Sequence, residues 1–78
     1  MEKENKRHTL KVIGRAAGDW RREHGIKQLD IAIELDTTFS NISAFERGTN
    51  DSATILLWYL LHGFDPLESE GVWQLLDS

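Results

Sequence analysis

The side chains with chemistry to offer are gathered in one short segment. Thr38, Ser40, Asn41, Ser43 and Asn50 carry hydroxyls and amides, and Arg47 closes the group with a cation. Such groups give and accept hydrogen bonds. None stands in a pattern that would turn a hydroxyl into a nucleophile, and there is no phosphate loop or pair of carboxylates in a plausible cleft. The three histidines, His8, His24 and His62, are scattered, and the chain has no cysteine, so neither a zinc site nor a disulfide is expected. The expected chemistry is therefore that of binding. No enzyme activity and no cofactor is expected.

Those side chains need an element to hold them. The stretch GIKQLDIAIELDTTFSNISAFERG, residues 25–48, reads as two short helices joined by a tight turn. The first spans Lys27 to Leu35 and buries Ile31, Ala32 and Leu35 on one face. Asp36-Thr37-Thr38 breaks the pattern, since Asp tolerates the left-handed conformation and Thr offers an oxygen to free helix N–H groups. The second helix, Phe39 to Arg47, buries Ile42 and Phe45 and stops at Gly48, a residue suited to the position just past a helix end. Helices this short cannot cover their own apolar faces, so a helix on either side is required.

Gly25-Ile26-Lys27-Gln28, Ala32 and the closing Ile42-Ser43-Ala44-Phe45-Glu46-Arg47-Gly48 resemble the helix-turn-helix of the lambda-repressor and Cro family, and Arg21 also fits. The resemblance covers about Leu10 to Phe64. It implies an all-α bundle of four or five helices, usually dimeric, whose second motif helix enters the DNA major groove. Residue by residue, it implies a buried bidentate pair between Arg21 and Glu46. It also implies base contacts from Phe39, Ser40, Ser43 and Ala44, with Thr38 and Asn41 flanking them toward the sugar-phosphate. Gln28 is either a backbone contact that braces the second helix or an ordinary solvated helix-start residue. Lys27 stands where the family prefers a Ser or Thr cap, and a Lys there can meet a phosphate. Arg47, with Thr49 and Asn50 beyond it, is either a phosphate contact or a cation favoured by the helix dipole.

Two features depart from that family pattern. No Arg or Lys stands among the expected base contacts, so readout would rest on Ser, Thr and Asn, with Phe39 and Ala44 packing on thymine methyls. Phe39 would also share an outward apolar patch with Ile33 and Leu29, unless the helix phase is shifted and one of them is core. The net charge is −4. All nine Lys and Arg lie in residues 1–48 against eight acids, leaving +1, while residues 49–78 hold five acids and neither Lys nor Arg, leaving −5. Phosphates could be met by the N-terminal half and not by the C-terminal half.

Residues 1–9 read as a flexible polar arm, either frayed or a basic tail reaching phosphates, and residues 10–78 as the domain. Thr9 would cap a first helix running to about His24, with Leu10, Ile13, Ala17 and Trp20 as its buried stripe. Gly14 and Gly18 interrupt that helix and point to a close helix approach. Ser52 would cap a helix from Ala53 to His62 whose Ile55–Leu61 segment is apolar on all sides. A terminal helix after Asp65-Pro66 would cover part of it. Leu57, Trp58, Leu61 and Trp73 would then form a symmetric homodimer interface, where burying one Trp and two Leu contributes on the order of 5–8 kcal/mol before association costs. No run approaches the ~20 apolar residues of a membrane span and no secretory signal is visible, so a soluble cytoplasmic protein is expected.

Two binding functions follow. One is a transcriptional regulator that lays paired recognition helices into double-stranded DNA. The other is a modulator or antirepressor that docks on another regulatory protein through Phe39 and its apolar neighbours. In residues 25–50, Lys27 and Arg47 face Asp30, Glu34, Asp36 and Glu46, a balance of −2 that favours the second reading at the motif itself.

Overall fold

The computed structural model describes residues 3–77, with side-chain environments from Lys6 onward. Five α-helices follow one another: α1 (Lys3–Glu23), α2 (Gln28–Glu34), α3 (Phe39–Glu46), α4 (Ala53–Leu61) and α5 (Glu70–Asp77), with a 3-10 turn at Pro66–Glu68 before the last. The all-helical bundle is as expected, and no described residue is in a strand.

Four helices stop in the same way. After α1, α2, α3 and α4 a single residue enters the left-handed region: Gly25, Asp36, Gly48 and Gly63. At each end an N–H reaches back five residues, from Ile26 to Arg21, Thr37 to Ala32, Thr49 to Ala44 and Phe64 to Tyr59, at 2.9–3.1 Å. This satisfies carbonyls that a helix end leaves open. Asp36 does it without being glycine, at φ 54°, which its short side chain tolerates. Gly48 has no substitute, because a Cβ there would lie 2.6 Å from the backbone of Lys11.

The starts are capped by hydroxyls. Thr38 accepts from Asn41 N–H at 3.3 Å and Ser52 from Ile55 N–H at 3.2 Å. At α2 the expected weakness is present: Lys27 is the N-cap and makes no side-chain cap bond.

The first helix needs correction. It begins by Lys3, so Thr9 lies inside it rather than at its cap, and residues 3–9 of the expected flexible arm are helical. That segment lacks apolar periodicity but holds Lys, Glu and Arg, all good helix formers. Lys6 also ties to Asp51 at 3.3 Å beside the α3–α4 connection. Residues 1 and 2, the rest of the expected arm, lie outside the described residues.

The core gathers Ala17, Ile31, Ala32, Ile42, Phe45, Ile55, Trp58, Tyr59 and Phe64, with Trp20, Ile26 and Leu35 packed against it. Trp58 is the second correction. It is only 6 % exposed, sits edge-on to Trp20 and Tyr59 and stacks on His62, so it does not belong to a dimer surface. The inward face of α4 is Ile55, Trp58 and Tyr59, one turn apart in helical spacing. Apolarity on every side of α4 had left its phase undetermined. Leu57, Leu61 and Trp73 do remain exposed, as do Leu60, Leu67 and Leu76. Among the described residues no helix is long and apolar enough to cross a membrane.

Candidate nucleic-acid interface

Glu46, the last residue of α3, is the point at which four helices are joined. Arg21 from α1 donates through Nε to Glu46 Oε2 at 2.7 Å and through a terminal nitrogen to Oε1 at 3.1 Å. Gln28 at the start of α2 donates to Oε1 at 3.0 Å, and the Tyr59 hydroxyl from α4 donates to Oε2. The remaining terminal nitrogen of Arg21 donates to the Ile26 carbonyl at 2.9 Å. Side-chain exposures of 11 % and 8 % for Arg21 and Glu46 make this a buried pair in which the carboxylate is fully hydrogen-bonded, the condition under which burial of charge is tolerated.

The titration behaviour follows from the geometry. Burial pushes the Glu46 carboxyl upward, but donation from Arg21, Tyr59 and Gln28 outweighs it and holds the group below its ordinary value. Tyr59 is driven strongly upward by burial and by its bond to Glu46. Arg21's own hydrogen bonds to Glu46 raise it further, against the opposing effect of burial.

Glycines let α1 come this close. A Cβ on Gly14 would overlap the Phe45 carbonyl oxygen and lie 2.8 Å from that of Glu46, while one on Gly18 would lie 2.8 Å from Glu46 Oε1. The interrupted stripe of α1 is thus where α3 seats its C-terminus.

The opposite side of α3 faces solvent. Thr38, Phe39, Ser40 and Asn41 are exposed, as are Lys27 and Arg47, whereas Gln28, Ser43, Ala44 and Asn50 are half-buried. Phe39 is 56 % exposed, Leu29 55 % and Ile33 69 %, so none of the three is core. Several polar groups already have local work. Asn41 donates to Thr37 at 2.7 Å, Asn50 accepts from the Ser52 N–H at 3.0 Å, and Arg47 donates to the Ser43 hydroxyl at 2.5 Å. Thr38 and Asn50 shape the turns at either end of α3, and Ser43 lies under Arg47. Phe39 and Ser40 have no such bond.

Sequence reasoning missed Tyr59. A signal was available: it is the chain's single tyrosine, set in an otherwise apolar helix, and a buried tyrosine hydroxyl must find a partner. Gln28 spends one amide hydrogen on Glu46 and has a second to give. Compared with family models, curated proteins and solved structures, the chain has no match.

Proposed function

We propose that the protein is a helix-turn-helix regulator of the lambda-repressor and Cro type that binds double-stranded DNA as a homodimer, with α3 as its recognition helix. The observation that carries this reading is the asymmetry of α3. Its C-terminal end is locked through Glu46 to α1, α2 and α4, while Phe39, Ser40 and Asn41 at its N-terminal end stand in solvent. A rigid helix offered by its first turn is how such motifs read base edges. In this reading Ser40, Asn41 and Ser43 meet bases, Phe39 and Ala44 pack on thymine methyls, and Lys27, Gln28, Thr38, Arg47 and Asn50 contact the backbone. Leu57, Leu61 and Trp73 form the two-fold contact, which would set the recognition helices ~34 Å apart.

The exposure of Leu29, Ile33 and Phe39 supports a second reading, in which the same face docks on another regulatory protein. A salt titration separates the two. A gel shift against the DNA flanking the protein's own gene weakens steeply between about 50 and 200 mM salt if phosphates are neutralised. Docking on a neighbouring repressor through Phe39 barely responds to salt. Weakened binding in Arg47→Ala together with a steep salt response supports DNA, whereas binding abolished in Phe39→Ala, unchanged in Arg47→Ala and insensitive to salt supports a protein partner.

A further inference from the structure

Beside the buried Glu46 hub, α1 and α3 bound an open cleft of about 250 Å³ lined by three arginines, Arg15 and Arg22 from α1 and Arg47 just past the end of α3, together with Ser43 and Gln28. Neither Arg15 nor Arg22 was among the residues expected to meet phosphate. We infer that this cleft is a phosphate-binding site in which Arg15 and Arg22 hold a backbone phosphodiester together with Arg47, an inference that rests on the nucleic-acid reading above.

The charges favour an anion here. In a chain of net charge −4, the cleft carries three arginines and one acid, Glu46. That acid is matched by Arg21, which lies against it at 2.7 Å. The arginines are also available. Arg15 makes no hydrogen bond or ion pair to any described residue. Arg22 holds Asp19 at 2.5 Å, but both side chains are more than half exposed, and such pairs are weak. Arg47 uses one nitrogen on Ser43 and keeps its other N–H groups. At the floor Gly14 and Gly18 lie against the end of α3, and a Cβ at Gly18 would lie 3.4 Å from a terminal nitrogen of Arg22. Guanidinium forks suit tetrahedral phosphate oxygens. The cleft runs along α3 at Ser43 and Arg47, so a strand whose bases meet α3 would carry its backbone over α1.

The test has two arms, applied to the full chain and to Arg15→Gln, Arg22→Gln and, as a charge-matched control, Lys6→Gln, whose cation is already paired with Asp51. In the first arm inorganic phosphate is titrated while amide shifts are followed by NMR. Saturating shifts are expected at Gly14, Gly18 and Ser43, lost in the two arginine variants and kept in Lys6→Gln. In the second arm a duplex of about 20 base pairs, two helical turns, is titrated at several salt concentrations. Each arginine variant is expected to bind several-fold more weakly and to lower the log–log salt slope by about 1. Phosphate shifts without duplex binding keep the cleft and overturn the nucleic-acid reading. Duplex binding that is unchanged in both arginine variants, or lowered equally by Lys6→Gln, keeps that reading and overturns the cleft. No response in either arm overturns both.

Discussion

Phe45 and Tyr59 lie face to face, their ring centroids 5.4 Å apart and tilted by 18°, and the Tyr59 hydroxyl reaches past that stack to the carboxylate of the next residue, Glu46. One side chain of α4 therefore serves the core and the ionic hub together. The two roles separate by substitution. Tyr59→Phe keeps the stack and removes one donor to a buried charge, so it should cost about 1.5–3 kcal/mol in urea unfolding. Tyr59→Ala adds the loss of the ring and should cost about 3–5 kcal/mol or more. Equal losses would mean the hydroxyl contributes nothing.

Removing Arg21 leaves Glu46 buried without its cation. Arg21→Met should destabilise by about 3–5 kcal/mol, whereas the double variant Arg21→Met/Glu46→Leu should recover a large part of that loss, because apolar replacements of a whole buried pair are tolerated. A double-mutant cycle by chemical denaturation measures the coupling.

The hub also sets the pH response. Glu46 is held below its ordinary value of 4.5 in the folded state, so its contribution is present in full above that value and is lost as pH falls through the lower folded value. Tyr59 is raised above its ordinary 10.0, so its contribution is complete below pH 10.0 and declines as the unfolded chain ionises above it. The stability gap between the wild type and Glu46→Gln should narrow below pH 4.5. The alkaline decline should be absent in Tyr59→Phe.

Gly14→Ala tests the contact between α1 and α3. A Cβ would overlap a backbone carbonyl, so the helices must part, which should cost about 1–3 kcal/mol. The helix propensity of alanine offsets up to about 1 kcal/mol of this. A thermal melt in which Gly14→Ala is more stable than the wild type would show that the helices are not in close contact.

The exposed face of α4 makes a prediction about assembly. Leu57 and Leu61 lie one turn apart, 53 % and 75 % exposed. Leu61→Glu should shift sedimentation equilibrium toward monomer and leave the circular dichroism spectrum unchanged. A wild-type chain that is monomeric at all concentrations would remove the dimer from the proposal.

The motif was the most legible part of the chain because its signals are local. Asp36, Thr38 and Gly48 each act on the backbone within a few residues, and α2 and α3 begin and end within a residue or so of expectation. The start of α1 was not legible, since residues 3–9 carry no apolar stripe, and their contact with Asp51 through Lys6 lies far away in sequence. In α4, Leu57 and Trp58 are equally apolar, and only packing against Trp20 and His62 decides which of them turns inward. The arginine cleft was hidden for a different reason: Arg15, Arg22 and Arg47 meet only once α1 lies across α3.

Because Glu46 bonds to α1, α2 and α4 from its own place on α3, none of those four helices can open alone without breaking a hydrogen bond to a buried carboxylate. The fifth is outside that arrangement. It packs on α1 and the 3-10 turn and buries Val72, with no bond to the hub. Native-state hydrogen exchange should accordingly divide the chain into two cooperative units, a slow one ending near Phe64 and a faster one comprising the terminal helix. The fast unit could then detach and refold while the face carrying Phe39 keeps its shape.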